Sequence, residues 1–346
     1  VSTSLSLIRA PQPWPPHHKD RRVTWLELFF DLIFVAAIAQ VGIPLQADYS
    51  WAGLLRYSFL FVLIWLAWSG HSLYCSRFDS DDLLQRVLLV VQCFLAAVMA
   101  ANAKESLDSR SAAGFGAAYA GIRLVLAMQY GRLMRAKETR AFAVWSGTGI
   151  TLSALVWGAS AIAPIPLRYV LWSVALAGDL AVPWVARRHG NRFPPHSGHF
   201  PERVGLFTII LVGEYVASVM RGIESQEEWS VPAASTAIMG IVGGFLIFWC
   251  YFDYARAADH RHTKTGSERR SFLIWYGAHL PLGISVAVLG IGIEHLIGPM
   301  PLTREALTIS GLALSIVCLA LWVLAWSRGS GVAGAKSGRG QADARG

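Results

Sequence analysis

Residues 25–44 read WLELFFDLIFVAAIAQVGIP, twenty residues of which only Glu27 and Asp31 are charged. That is the length an α-helix needs to cross about 30 Å of hydrocarbon. Comparable apolar runs recur along the chain and predict spans over 25–44, 51–73, 83–103, 111–133, 141–163, 166–186, 203–223, 231–255, 271–293 and 305–326. Pro164 and Pro166 supply the turn inside the hairpin 141–186. Ten spans of about 20 residues leave only short loops and two tails of the 346 residues, with no room for a sizeable soluble domain. Composition agrees: 54% of the chain is hydrophobic and 15% is charged, against about 25% charge in a soluble domain. The mean hydropathy is +0.44. The expected fold is therefore an all-α, polytopic transmembrane bundle of about ten spans.

A net charge of +8 would suggest nucleic acid as partner in a soluble protein. In a membrane protein, Lys and Arg gather on cytoplasmic loops instead. With the N-terminus inside, 23 of the 30 Lys and Arg fall on inner segments and six on outer ones (Arg56, Lys104, Arg110, Arg168, Arg221, Arg304); Arg123 alone lies inside a span. The alternation predicts both termini on the cytoplasmic side, a bacterial inner (cytoplasmic) membrane location, the bilayer as partner and no nucleic acid. Residues 1–22 are Pro-rich and basic without an apolar stretch of signal-peptide type. They and residues 328–346 are expected to be disordered tails flanking one transmembrane domain over 23–327. The four cysteines (Cys75, Cys93, Cys250, Cys318) show no CxxC spacing and indicate neither a disulfide frame nor a zinc site. No cofactor is implied, and the oligomeric state is left open.

A charge in hydrocarbon costs a few kcal/mol, so each one needs a partner or a purpose. Glu27 and Asp31 lie four apart on one face of the first span. Glu202 and Arg203 open the seventh, and Glu214 lies about 18 Å deeper by helical rise. Arg123 is about 15 Å deep by the same rise, so depth pairs it with Glu214. Around them His71, Asp179, Asp253, His279, Glu294 and His295 complete a polar belt, implying a wet cavity between helices. Each has a plainer reading. Glu27, Glu202 and Arg203 can be interfacial residues, Arg123 with Glu214 a register-fixing pair, Asp179 a hydrogen-bond partner, and His71 and His279 satisfied interior histidines. Gly243, Gly244, Gly283, Gly290 and Gly292 permit close helix contact. No GxxxxGK[ST], GxSxG or HExxH motif is present, and His196 with His199 lacks further ligands nearby. The Glu27 and Glu202 helices, six spans apart and each followed by a Trp-rich polar tip, suggest a weak parallel repeat of the kind transporters use.

The strings at 23–35 (VTWLELFFDLIFV) and 199–214 (HFPERVGLFTIILVGE) resemble the first two signatures of the bacterial low temperature requirement A (LtrA) family. Tyr251-Phe252-Asp253, His279-Leu280-Pro281 and Gly292-Ile293-Glu294-His295 are similar to its later ones. Val204 and Tyr215 depart from the residues more usual there. The resemblance implies a bacterial integral membrane protein linked to growth in the cold, without a settled activity. The leading expectation is a secondary transporter or proton-coupled permease for a small molecule or ion, with a pathway over Glu27, Asp31, Arg123, Glu214, Asp253 and His279. His71, Asp179, Glu202, Arg203, Glu294 and His295 are secondary candidates. The alternatives are a structural or membrane-adaptation protein whose ionic network only holds the bundle, and a membrane-embedded metal-dependent enzyme acting on a lipid-soluble substrate.

Overall fold

A computed structural model describes residues 7–14, 21–103, 111–228, 230–255, 266–298 and 303–342. The loop cations Lys19, Lys104, Arg110, Arg256, Arg261 and Lys264, and Arg345 of the tail, lie outside the described residues. Among the described residues eleven α-helices follow one another: α1 (Trp25–Ala47), α2 (Trp51–Arg77), α3 (Leu83–Ala101), α4 (Ser111–Arg132), α5 (Lys137–Ile162), α6 (Leu167–Val185), the single turn α7 (Arg187–Gly190), α8 (His199–Glu224), α9 (Val231–Trp249), α10 (Gly266–Ile297) and α11 (Arg304–Ala342). A six-residue π-helical segment, Cys250–Ala255, extends α9. Among the described residues nine helices are long and apolar enough to cross a membrane. The expected tenth span is α6. Its 19 residues suffice in length, but Arg168, Asp179 and Pro183 leave it less apolar than the nine.

Local chemistry sets the helix starts. Asp82 caps α3, its carboxylate accepting from the Gln85 amide at 2.7 Å, and Ser230 caps α9. Before α1, Thr24 Oγ1 accepts from the Glu27 amide at 3.3 Å while Glu27 Oε2 accepts from the Thr24 amide at 2.9 Å. This reciprocal capping box satisfies two donors that a helix N-terminus otherwise leaves open.

The chain divides into two compact units. The first holds Val1–Val41 and Leu60–His196. In it α4 packs on α3 and α5, and α5 on α6. At one end Tyr74, Phe78, Tyr130, Phe142 and Phe193 form a buried aromatic cluster with centroids 5.3–6.1 Å apart. The second unit holds Gly42–Phe59 and Ser197–Gly346. There α10 lies against α8, α9 and α11, and glycine lets the backbones approach. A Cβ on Gly290 would stand 3.0 Å from the Tyr215 Cα, and one on Gly244 2.8 Å from the Tyr215 ring.

Described parts of both tails take regular structure. Gln12–Pro13 pairs antiparallel with Phe78–Asp79 as a two-residue ribbon, β1 with β2. Beyond it the Trp14 amide donates to the Arg77 carbonyl at 3.1 Å and its indole N–H to the Cys75 carbonyl at 3.2 Å. The Arg21 guanidinium sits 3.9 Å over the Trp14 ring. Proline-rich backbone is already extended, so pairing it costs little entropy, and the indole contributes an anchor. At the other end α11 runs on to Ala342, past the apolar stretch Arg304–Ser327. Extending a formed helix adds one hydrogen bond per residue without a new nucleus.

Candidate functional site

One ionic network of the first unit centres on Asp179 of α6. Its carboxylate accepts from the Arg123 guanidinium of α4, from Ser153 Oγ at 2.5 Å and Trp157 Nε1 at 3.2 Å on α5, and from Tyr119 Oη at 3.1 Å on α4. The Arg123 and Asp179 side chains are 6% and 1% exposed. Four donors on one carboxylate fill its acceptor capacity, the condition under which a buried ion pair is tolerated. The expected pairing of Arg123 with Glu214 is thereby corrected: Arg123 bonds Asp179. Depth along a span is one coordinate only, and α4, α5 and α6 pack in succession.

Glu214 has a different partner. In the second unit Arg221 Nη2 donates to Glu214 Oε1 at 3.0 Å and to Ser218 Oγ at 2.7 Å, while Arg221 Nε donates to Glu294 Oε2 of α10 at 3.2 Å. Gln46 Nε2, at the end of α1, donates to the same Glu294 oxygen at 3.0 Å. Two carboxylates thus share one guanidinium, for a formal charge of −1. The cluster is not sealed: Arg221, Glu214 and Glu294 side chains are 39%, 22% and 19% exposed. Sequence reasoning placed Arg221 on an outer loop. Its position seven residues after Glu214, hence on the same helix face, was the signal that could have joined them.

The remaining candidates take separate places. Glu27 is the capping-box residue of α1 and forms an ion pair with Arg21 at 3.6 Å. Asp31, fully buried, accepts from Trp68 Nε1 at 2.7 Å. His71, fully buried on α2, faces Cys75 Sγ through Nε2 and Gln129 Nε2 through Nδ1, each at 3.3 Å. His279 Nδ1 lies 2.7 Å from the Trp275 carbonyl, which can only accept, so that nitrogen carries the proton. Its Nε2 then accepts from Tyr251 Oη at 2.9 Å. Asp253, on the π-helical segment, is exposed and accepts from Trp249 Nε1. His295 stacks on Tyr49 with centroids 5.5 Å apart. At the start of α8 Glu202 is exposed, while His199 and Arg203 are fully buried. Among the described residues no group of three or more His, Cys, Asp or Glu is placed to hold a metal. His260 and His262 lie outside the described residues.

Residues 22–338 match the family model described as Bacterial low temperature requirement A protein (LtrA). The chain belongs to the LtrA family. It is thus a multi-span membrane protein of a bacterial family. An uncharacterized protein of Rhizobium meliloti (strain 1021) is 25% identical over 284 residues, covering 78% of this chain and 68% of that protein. No solved structure matches. In the second unit of this LtrA protein, the segments that carry the family resemblance meet in pairs. Tyr251 bonds His279, and Arg221 joins Glu214 to Glu294.

Proposed function

We propose that this LtrA protein is a secondary transporter or proton-coupled permease of the bacterial cytoplasmic membrane, acting on a small molecule or ion, with Glu214, Arg221 and Glu294 as its coupling centre. The positive-inside count supports α6 as a tenth span and both termini on the cytoplasmic side. The observation that carries the reading is the contrast between two ion clusters. Asp179 is closed on every side by donors, whereas Glu214 and Glu294 compete for one guanidinium and stay partly open. A proton placed on Glu214 removes its hold on Arg221 and leaves the guanidinium to Glu294. Glu214 and Arg221 share α8 and Glu294 lies on α10, so the swap releases a bond within α8 and leaves the guanidinium to the bond across to α10, and coupling needs such a two-state element.

The test is an infrared pH titration of the purified protein in lipid, from about pH 4 to 9, beside Glu214→Gln. A protonated carboxyl band present in wild type and missing from the variant is the expected result. If wild type and variant give the same spectra at every pH, Glu214 carries no proton in this range and the permease reading fails. The ionic clusters would then be read as bundle fastenings.

A further inference from the structure

The cations at one end of the first unit are unequally matched. Those gathered at the turn between α2 and α3 are neutralised in place: Arg9 pairs with Asp79 at 3.6 Å, Arg86 with Asp81 at 3.0 Å, and Arg132 with Asp82. On the connection between α4 and α5 lie Arg135, Lys137 and Arg140, and on the connection after α6 lie Arg188 and Arg192. All five are exposed, and among the described residues none forms an ion pair. Arg140 donates its Nε to the Met134 carbonyl at 3.0 Å, a neutral acceptor. The acid in these two stretches is Glu138, itself exposed. Topology asks only that cations gather at one end of a span. It does not ask that one turn be neutralised and the neighbouring connections left open.

Packing makes the two connections one patch. The Phe142 ring of α5 meets Phe193 with centroids 5.8 Å apart, and a Cβ on Gly190 would stand 2.8 Å from the same ring. Trp145 stacks on His189, with centroids 6.3 Å apart and planes 13° apart. The chain over 187–193 therefore lies along the first turns of α5, beside the cations of 135–140. The outward face next to them is apolar. Trp145, Trp184 and Val185 are each more than half exposed. The indoles of Trp14, Trp68, Trp157, Trp172 and Trp249 all donate to protein acceptors, whereas those of Trp145 and Trp184 have none among the described residues. Indoles of this kind sit at the headgroup level of a bilayer, apolar body inward and N–H toward the polar layer.

We propose that this patch is a docking site for anionic phospholipid, with headgroup phosphates held by the cations of the two connections and acyl chains lying on Trp145, Trp184 and Val185. Charge complementarity carries the assignment. Guanidinium groups meet phosphate oxygens through paired N–H contacts, and Lys137 adds a point charge. Basic clusters at the end of transmembrane helices attract anionic headgroups on the same grounds. The apolar collar decides between a lipid and a soluble polyanion: a nucleic acid or acidic peptide would satisfy the cations and leave two indoles and a valine in water, while a phospholipid covers both. Glu214, Arg221 and Glu294 belong to the other unit, and the assignment does not depend on the permease reading.

The test places the full chain in phosphatidylcholine vesicles containing a trace of photoactivatable phosphatidylglycerol or, in parallel, of phosphatidylcholine with the same reactive group at the top of one acyl chain. Digestion and mass spectrometry then map the adducts. Segments 135–145 and 184–193 should carry roughly fivefold or more adduct from the phosphatidylglycerol probe than from the phosphatidylcholine probe, the effect of about one surface cation. Segment 83–90 is the control within the same molecule. It exposes Leu83, Val87 and Val90 to lipid, but its Arg86 is already paired, so it should take both probes alike. Replacing Arg135, Lys137, Arg188 and Arg192 together by Gln should bring the patch down to the level of that control. Equal labelling by the two probes at the patch overturns the assignment, and so does the same preference at 83–90, since both are read in wild type whether or not the variant folds. A folded variant that keeps the preference overturns it as well.

Discussion

Replacing Asp179 by Leu, a side chain close in size, removes the acceptor of four donors at once. Arg123 is then a buried cation without its partner, a loss of about 3–5 kcal/mol in comparable pairs. The Tyr119 hydroxyl and Trp157 indole lose their acceptor as well, at about 1–3 kcal/mol each if nothing replaces it. Ser153 is spared, since the Ala175 carbonyl lies 3.3 Å from its hydroxyl. These losses overlap, so the expected destabilisation is about 4 kcal/mol or more. Glu214→Gln is the contrast. Its side chain is 22% exposed and Arg221 keeps Glu294, so the loss should stay near or below about 1 kcal/mol. Reversible unfolding in bicelles, followed by helical circular dichroism, measures both. Arg123→Met with Asp179→Leu completes the cycle, and the double variant should recover at least about 2 kcal/mol relative to the sum of the singles. Additive single losses, or Asp179→Leu within about 1 kcal/mol of wild type, would refute the argument that this pair fastens α4 to α6.

Three other outcomes follow from the geometry. Gly290→Ala, whose new methyl meets backbone at 3.0 Å, should cost about 1–3 kcal/mol, while Gly213→Ala, with nothing within 4 Å, should gain up to about 1 kcal/mol; the same unfolding assay ranks them, and a reversed order counts against the packing of α8 on α10. Tyr49, between α1 and α2, has its phenol pushed up to about 12, chiefly by burial and with the Ser310 hydrogen bond opposing. Its contribution is intact below its unfolded pKa of about 10 and is lost as pH rises through about 12, so melting curves of wild type and Tyr49→Phe should diverge over that window; parallel curves would contradict it. Glu27→Gln, which keeps a capping acceptor but not the charge near Arg21, should lower stability by about 1 kcal/mol or less and leave the carboxyl band assigned through Glu214→Gln in place, a change in that band marking Glu27 as part of the coupling centre.

The helices were legible because apolar runs of membrane length have no other common reading, and most observed ends fall within four residues of those expected. Glu27 has a local reading that its charge conceals. The Thr24-x-x-Glu27 pattern is a capping box in plain sight, yet the same glutamate, counted as a charge in hydrocarbon, looks like machinery. The partner of Arg123 was not legible, since Asp179 and Glu214 are both acids inside spans and only lateral packing separates them. Arg221 was hidden by its place near a helix end, where cations are ordinary. Gln85 and Gln129, buried within reach of Cys75 and His71, carry no charge to mark them in a sequence, although a buried amide also demands partners.

The ribbon between residues 12–13 and 78–79 also sets an order of events during synthesis. Arg9 donates its amide to Asp82 at 2.6 Å and lends its carbonyl to Arg132 at 2.8 Å, so the N-terminal strap cannot be fully seated until α4 is made and inserted. At about 5–20 residues per second the strap waits roughly 6–24 s after its own emergence. Through that interval Trp14 and its neighbours remain available to the ribosome surface, to insertion factors or to a protease. Fusions placed ahead of residue 7 will lengthen that exposure or crowd the docking turn. An N-terminal reporter on this chain is therefore a perturbation of assembly, whereas one placed after Ala342 leaves the strap to close on its own schedule.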